Sequence, residues 1–235
     1  MANYLIPDPS KLPRYVGTEA DDSIIIRPGE LSSAFYKEVW LLGGDDFLQG
    51  SSDSEYIFGN NGRDTLFGGH GNDTLAGGKQ NDLIVAEDGA DSLRGEDAND
   101  SLSGGFGDDI IYGGKGNDDL IGNAGNDFIS GDRGIDHLTG DAGADTFVLS
   151  ISEATSSLNT ADVITDFNTK EDLIGIPGPL NLVNIDFLQP SSIDYNQDGL
   201  NDYLITLKNG LIIGIVLNNA NIDGSLGLRQ NFISL

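Results

Sequence analysis

The 235-residue sequence has no cysteine and few basic residues. Without cysteine the chain can form no disulfide, and it has no thiolate for catalysis or metal binding. There are 12 lysines and arginines against 38 aspartates and glutamates, so the formal net charge is −26. This imbalance argues against a nucleic-acid binder, whose affinity depends on cationic side chains at the phosphates, and against docking on an anionic membrane surface.

Long hydrophobic segments are also missing. The longest aliphatic run, residues 211–217 with one glycine, is much shorter than the ~20 residues that a membrane-spanning helix needs. The first residues, MANYLIPDPSKLPR, have neither the apolar stretch nor the small-residue cleavage site of a secretory signal peptide. We therefore expect no membrane span and a protein that is either cytosolic or exported by a route that does not read its N-terminus.

What the chain has in abundance is glycine, with 33 residues, and aspartate at a fixed spacing. Aspartate recurs every nine residues, and Asp46 and Glu55 precede the series in phase. Its ten consecutive members are Asp64, Asp73, Asp82, Asp91, Asp100, Asp109, Asp118, Asp127, Asp136 and Asp145. Two positions after each acid is an apolar residue, and five positions before each of the ten aspartates is glycine, or alanine at Ala86. The unit reads Gly-Gly-x-Gly-x-Asp-x-aliphatic-x, a signature of calcium-binding parallel β-helices.

This unit predicts a solenoid in which each repeat supplies one turn and one short strand. Six residues rich in Gly, Asn and Asp tolerate positive φ angles and form the turn, and three residues, such as 65–67, form the strand. The middle side chain of the strand points inward, so the aliphatic residues build the core. Two repeats return the chain to its starting side, which gives a coil of 18 residues with acids along two edges.

Both edges of such a coil need a cation. Coils stack ~4.8 Å apart, and carboxylates at that spacing repel each other unless a cation lies between them. The turns offer carboxylate and carbonyl oxygens, with no cysteine and no repeated histidine, which argues against zinc and copper. Because Ca²⁺ accepts six to eight oxygens from flexible loops, whereas Mg²⁺ prefers octahedral geometry and retained water, we predict several Ca²⁺ ions.

With this unit, residues 41–149 resemble the repeats-in-toxin (RTX, haemolysin-type) calcium-binding family. The resemblance implies a right-handed parallel β-roll in which each ion lies between successive turns on one edge. It gives the ligand role to the repeat aspartates of both turns, here the ten from Asp64 to Asp145, and to turn carbonyls. The carbonyl ligands that it implies are those of Gly68, Gly69, Gly71, Gly104, Gly105, Gly107, Gly113, Gly114 and Gly116.

The two edges keep the pattern unequally. The fourth-position glycine is unbroken on the edge that ends at Asp145, whereas the other edge has Gln80 and Ala98 at that position. We expect the unbroken edge to be better occupied. The turn at 50–55 has no internal glycine, so whether Glu55 binds metal stays open.

Both flanks of the roll are predicted to act as caps. An N-terminal cap at 1–40 contains one degenerate repeat at 17–25, and the roll itself spans 41–149. The segment 150–235 predicts a β-rich capping region, with a pair of strands around residues 168–170 and a hairpin at an Asn-Gly pair that suits a type I′ turn. The predicted fold class is therefore all-β, a β-roll between two caps.

A second acidic motif lies at 194–202 within the C-terminal region. Its candidate metal ligands are Asp194, Asn196, Asp198, Leu200 and Asp202. Acids or amides at positions 1, 3 and 5 followed by glycine begin an EF-hand-type loop, although position 12 does not hold the usual glutamate. Two interpretations remain open: a calcium loop closed by Asp202, and an acidic, solvated hairpin loop.

No catalytic site is evident, because the sequence lacks both a His-Glu-x-x-His motif and a Gly-x-Ser-x-Gly elbow. We predict a non-enzymatic protein that folds when calcium binds and serves outside the cell as a structural or binding protein. The alternative is a calcium-dependent adhesion or carbohydrate-binding module, or a non-catalytic accessory of a secreted enzyme, with a polysaccharide or a surface-layer component as partner. The RTX resemblance implies type I export, and the apolar tail at 231–235 is similar to the C-terminal signals of that route.

Overall fold

The structure is a computed structural model. It describes residues 6–7, 15–29, 38–150, 157–177, 185–187, 194–197, 200, 202–207, 210–217 and 231–235. Within them the secondary structure is all-β, apart from one 3-10 helical turn at Leu158–Thr160. No helix in these residues has the length and apolar character needed to cross a membrane.

Short strands alternate with tight turns along the described residues. The N-terminal strands are β1 (Ile6–Pro7), β2 (Tyr15–Val16), β3 (Ser23–Ile25), β4 (Glu38–Trp40) and β5 (Phe47–Gln49). Six-residue strands follow: β6 (Tyr56–Asn61), β7 (Thr65–His70), β8 (Thr74–Lys79), β9 (Leu83–Asp88), β10 (Ser92–Asp97), β11 (Ser101–Phe106), β12 (Ile110–Lys115), β13 (Asp119–Ala124), β14 (Phe128–Arg133) and β15 (His137–Ala142). The last strands are β16 (Thr146–Val148), β17 (Val163–Ile164), β18 (Leu173–Ile176), β19 (Ile185–Phe187), β20 (Tyr203–Leu207), β21 (Ile212–Val216) and β22 (Phe232–Ser234).

The strands form two sheets, and successive strands of the roll go to opposite sheets. The first sheet has the order β1-β2-β4-β6-β8-β10-β12-β14-β16-β18-β22, and the second has β19-β20-β21-β17-β15-β13-β11-β9-β7-β5-β3. Neighbours in the roll are parallel and one 18-residue coil apart, as the pairing of Leu66 with Ile84 shows. The predicted all-β parallel roll is therefore confirmed.

The central strands are six residues long, where the sequence predicted three. The chain bends at the fifth strand residue, which has a positive φ, for example 107° at Gly69 and 76° at Glu87. Gly69 nevertheless stays paired with Glu87, and His70 with Asp88. The parallel ladder therefore continues around the first half of each turn, because equivalent residues of stacked coils bend together.

The core is a column of one apolar side chain per repeat, at the second position of each strand. All members are at most 1% exposed: Leu48, Ile57, Leu66, Leu75, Ile84, Leu93, Leu102, Ile111, Leu120, Ile129, Leu138 and Phe147. Each buried side chain of this size contributes about 1.5–3 kcal/mol relative to an exposed one. The inward position predicted for these residues is confirmed.

The C-terminal region combines a continuation of the roll with a hairpin. The strands predicted around residues 168–170 are β17 and β18, and each continues one sheet of the roll in parallel, next to β15 and β16 respectively. The antiparallel pair of β20 and β21 confirms the predicted hairpin, and Asn209 of its Asn-Gly pair lies outside the described residues. Gly210 has a φ of 83° and donates its N–H to the carbonyl of Leu207 at 2.8 Å.

The N-terminal flank also joins the sheets of the roll. The degenerate repeat at 17–25 contributes β3, which pairs in parallel with β5. The division into 1–40, 41–149 and 150–235 stays a prediction, and both sheets run across its two boundaries.

Leu102→Ala should lower the free energy of unfolding of the calcium-loaded protein by about 2–5 kcal/mol, because the side chain is only 1% exposed and truncation leaves a cavity. Leu83→Ala is the matched control: Leu83 is 41% exposed on an adjacent coil, and its truncation should cost under about 1 kcal/mol. Urea unfolding in saturating calcium measures both values. Equal losses would contradict the inward column.

Candidate metal centre

The repeat aspartates lie at the end of each turn, directly before the next strand. Because one coil has two repeats, alternate aspartates stack on the same edge. The first edge carries Asp64, Asp82, Asp100, Asp118 and Asp136, and the second edge carries Asp73, Asp91, Asp109, Asp127 and Asp145. All ten are at most 4% exposed. The structure therefore brings the predicted carboxylates together in two buried columns.

Each column is a hydrogen-bonded ladder. The backbone N–H of one aspartate donates to Oδ1 of the aspartate in the following coil, at 2.8 Å from Asp64 to Asp82 and 2.7 Å from Asp91 to Asp109. The same bond recurs along both edges at 2.6–2.9 Å. One oxygen of each carboxylate thus fixes the register between coils.

The second oxygen of these carboxylates is buried and lacks a hydrogen-bond partner among the described residues. This holds for Oδ2 of Asp46, Asp64, Asp82, Asp91, Asp100, Asp109, Asp118, Asp127, Asp136 and Asp145. A buried, ionised oxygen that nothing compensates costs several kcal/mol. The arrangement is therefore that of a ligand set that needs a cation.

The first residue of each turn leaves room for this oxygen. A Cβ at Gly68 would lie 2.6 Å from Asp73 Oδ2 and 2.7 Å from the carbonyl oxygen of Ala86 in the following coil. A Cβ at Gly95 would lie beside the two equivalent atoms of its own repeat and the next coil, Oδ2 of Asp100 and the carbonyl oxygen of Gly113. The aspartate oxygen and a carbonyl of the next coil thus share the space that a side chain would fill.

Two more carbonyls of each turn face the following coil. At the second position, the carbonyl oxygen of Asn60 lies beside a Cβ built on Gly78, and the carbonyl oxygen of Glu96 lies beside a Cβ built on Gly114. At the fourth position, the carbonyl of Asp53 lies 2.8 Å from a Cβ built on Gly71. The gap between stacked turns is therefore lined by oxygen from both coils.

The structure places several of the predicted carbonyl ligands in these gaps. Five of these carbonyls face a neighbouring coil. They belong to Gly68 and Gly113 at the first turn position and to Gly71, Gly107 and Gly116 at the fourth. Gly104 occupies the same turn position as Gly113. At the second turn position, Gly69, Gly105 and Gly114 have positive φ values. Asn60, Glu87 and Glu96 hold the same position with positive φ values, and their carbonyls face the next coil.

These donors suit a hard cation. All are oxygen, and within the described ranges no three Asp, Glu, His or Cys side chains converge on one point. A cation in a gap would therefore take much of its coordination from carbonyls. Ca²⁺ accepts such mixed sets of carboxylate and carbonyl oxygens. The residues present fit calcium.

Burial raises the pKa along both edges. It is the largest cause of the shift for Asp82 and Asp136, whose pKa values are raised to about 8, and like charges in neighbouring coils add to it. The pKa is raised to about 7 for Asp46, Asp100 and Asp109 and to about 6 for Asp64, Asp118 and Asp127. The N–H donated by the preceding coil opposes these shifts. The metal-free columns therefore retain protons to a higher pH than exposed aspartates do.

Glu55 differs from the repeat aspartates. The hydroxyl of Ser51 donates to its Oε1, and the backbone N–H of Ser51 donates to Oε2 at 3.3 Å. Both carboxylate oxygens thus have donors within their own turn. The backbone N–H of Glu55 still donates to Asp73 Oδ1 at 2.7 Å, so Glu55 takes part in the second ladder.

Sequence reasoning missed two members of the ladders. Asp136 N–H donates to Asp162 Oδ1 at 3.1 Å, and Asp145 N–H donates to Asp172 Oδ1 at 3.0 Å. Their separations of 26 and 27 residues differ from the 18 residues that separate ladder partners within the repeats. The signal that could have found them is the apolar residue two positions later, Ile164 or Ile174.

The acidic motif at 194–202 stays a prediction. Asp198 lies outside the described residues. Asp202 is fully buried, and its Oδ2 accepts the backbone N–H of Tyr195 at 2.7 Å. Leu200 is 41% exposed, and Asp194 and Asn196 lie in the turn that Asp202 holds.

Comparisons with known proteins find one matching family model and a similar solved structure. Residues 40–62, 49–84, 85–120 and 121–150 match the family model of the RTX calcium-binding nonapeptide repeat. Among solved structures, a subunit of a mannuronan C5-epimerase from Azotobacter vinelandii is similar, with 29% identity over 59% of this chain and 80% of that chain and a TM-score of 0.44. A search of curated protein sequences finds no match.

The metal-free protein should lose stability as the pH rises from about 4 to about 8. A carboxyl whose folded-state pKa lies above its usual value of 3.8 favours folding while it is protonated, and this contribution disappears as pH rises through the raised values of about 6 to 8. The β signal of calcium-stripped protein, followed by circular dichroism at several pH values, measures the trend. Calcium should reverse it, because metal and protons compete for the same carboxylates. Stability that rises with pH in the absence of calcium would contradict the buried ladders.

Proposed function

Since residues 40–150 belong to the RTX calcium-binding nonapeptide repeats, we propose that this protein is a secreted β-roll that calcium folds and that serves outside the cell as a structural or binding protein. The observation that supports it is the row of buried Oδ2 atoms without hydrogen-bond partners, each beside carbonyl oxygens of a stacked coil. The proposed ligands are the ten repeat aspartates and the turn carbonyls described above. Calcium is then the ligand on which the activity of the protein depends.

The charge of the chain supports calcium-driven folding. Stacking the coils brings buried carboxylates together within a protein of net charge −26. If about eight gaps each hold one Ca²⁺, about 16 negative charges are compensated. Binding free energy then becomes folding free energy, because the ligand set exists only when the coils are stacked.

Export before folding follows from this dependence. Calcium is scarce inside cells and abundant outside, so the proposed protein remains unfolded until it leaves the cell. We assign the exit to a type I route that reads a C-terminal signal. The segment 231–235, which is similar to such signals, also supplies β22, whose Ile233 pairs with Gly175 of β18.

The outer face of the first sheet supports a second candidate function, carbohydrate binding. Trp40 and Phe58 stack with ring centroids 4.4 Å apart, and they line a cavity of about 250 Å³ together with Asn60 and Glu96. Aromatic faces beside amide and carboxylate groups suit the apolar face and the hydroxyls of a sugar ring. A polysaccharide is the partner class that this cavity favours.

Trp40→Ala should weaken polysaccharide binding by roughly tenfold or more if this cavity is the site. Phe106→Ala is the control, because Phe106 is 69% exposed on a turn outside the cavity. Affinity electrophoresis of the full chain in gels with neutral or acidic polysaccharides, with calcium present, measures both. Equal mobility of the wild type in all gels and in a polysaccharide-free gel would remove this candidate.

Calcium should compact the chain in the concentration range found outside cells. We expect the radius of gyration to fall from about 50 Å to roughly 20 Å, with a midpoint between ~10⁻⁵ and ~10⁻³ M calcium. Small-angle X-ray scattering across a calcium series measures this change. A compact chain at ~10⁻⁷ M calcium would contradict folding after export.

A further inference from the structure

The aspartate ladders begin and end in turns that differ from the repeat turns. Among the described residues, the first ladder starts at Asp22, whose backbone N–H donates to Asp46 Oδ1 at 2.7 Å. The second ladder starts at Glu55 and finishes at Asp172. We call the turns that carry these three end acids the end turns. They span residues 17–22, 50–55 and 167–172.

We propose that the end turns take no calcium, because a backbone N–H of the same turn binds the carboxylate oxygen that the repeat aspartates leave for the cation. The second turn residue is then the positioning residue that decides between the two arrangements. The proposal rests on the proposed function, because it assumes that the repeat turns bind calcium.

In each end turn, the second turn residue donates its N–H to the acid four residues later. Thr18 donates to Asp22 Oδ2 at 2.6 Å, and Asn168 donates to Asp172 Oδ2 at 2.7 Å. The turn at 50–55 makes the equivalent bond at 3.3 Å. The second oxygen of each end acid therefore has a donor within its own turn.

The first oxygen of each end acid also has a polar neighbour. The hydroxyl of Thr18 lies 3.2 Å from Asp22 Oδ1, and the hydroxyl of Ser51 donates to Glu55 Oε1. Oδ1 of Asp172 accepts the ladder N–H of the preceding coil at 3.0 Å. Since the three acids are at most 3% exposed, these contacts replace the water that burial removes.

The sign of one backbone angle separates the repeat turns from the end turns. In the repeat turns with a buried Oδ2 that lacks a hydrogen-bond partner among the described residues, the residue four positions before the acid has a φ of 64–117°. These residues are Leu42, Asn60, Gly78, Glu87, Glu96, Gly105, Gly114, Asn123, Asp132 and Asp141. The equivalent residues of the end turns, Thr18, Ser51 and Asn168, do not have a positive φ.

This angle determines where the N–H points. Because φ is the rotation about the N–Cα bond, its sign sets the direction of the N–H relative to the residues that follow. In the end turns the N–H points at the acid, and in the repeat turns with a left-handed second residue Oδ2 receives no such bond. The conformation of this residue therefore determines whether the turn itself binds the second carboxylate oxygen.

The carbonyls do not distinguish the two kinds of turn. Those of Ser51 and Asp53 face the next coil beside Gly69 and Gly71, as the equivalent carbonyls do in the repeats. What the gap after the turn at 50–55 lacks is a carboxylate oxygen of Glu55 that still needs a partner. A cation there would have to break both bonds from Ser51, so we expect none.

Glu55→Gln tests the end turns, because it removes the charge of an end acid. Full-length Glu55→Gln should bind as many calcium ions as the wild type. Asp109→Asn is the matched change in a repeat turn, and it should bind at least one ion fewer, because Asp109 Oδ2 has no donor among the described residues. Equilibrium dialysis with calcium alone gives ion number and affinity, and circular dichroism verifies folding.

A pair of variants at Asn123 tests the second turn residue. Asn123 has a φ of 74°, and its amide donates to the hydroxyl of Ser103 at 2.9 Å. Asn123→Thr disfavours the left-handed conformation and should weaken one calcium site roughly tenfold. Asn123→Gly favours that conformation and should bind calcium as the wild type does. Both variants lose the amide bond, so a difference between them reports the backbone conformation.

The outcomes separate this proposal from the proposed function. A wild type that binds no calcium, or an Asp109→Asn variant that binds as many ions as the wild type, overturns the proposed function. A Glu55→Gln variant that loses an ion overturns the end turns alone. If Glu55→Gln does not fold in calcium, Asp22→Asn decides by the same criterion. Equal affinities of Asn123→Thr and Asn123→Gly at every site overturn the role of the second turn residue.

Discussion

The structure depends on the electrostatics of two buried columns of carboxylates. Each repeat aspartate ties one oxygen to the backbone of the preceding coil, and the other oxygen faces carbonyls that cannot donate a hydrogen bond. Stacking of the coils thus gives Oδ1 a hydrogen-bond donor but leaves Oδ2 buried without one. The calcium ion proposed between coils would compensate these oxygens and link the stacked turns.

The glycine content follows from the same constraint. At the first turn position, glycine leaves space for the aspartate oxygen, and at the fourth position a Cβ would collide with the carbonyl of the preceding coil, as at Gly107 against Gly89. Left-handed φ values at the second position, such as 76° at Glu87, keep the carbonyls pointing into the gaps. The glycine content and the turn geometry therefore have one explanation: both allow backbone carbonyl oxygens to line the gaps between stacked turns.

Periodic features were predictable from the sequence, and aperiodic ones were not. The nine-residue spacing gave the 18-residue coil, the inward column that includes Leu102, and the two acidic edges. Asp162 and Asp172 were missed because insertions place them 26 and 27 residues after their ladder partners rather than 18, and only their hydrogen bonds reveal them. The internal donors to Glu55 could not be predicted, since they depend on how Ser51 folds back within a turn without internal glycine.

If a cation between stacked carboxylates holds the roll together, the fold should depend on calcium. Thermal unfolding of the full chain at pH 8, followed by circular dichroism in calcium, in magnesium and in chelator, measures this dependence. We expect a β spectrum with a cooperative transition in calcium and neither in chelator, with magnesium resembling chelator. The same spectrum and melting temperature in chelator as in calcium would contradict it.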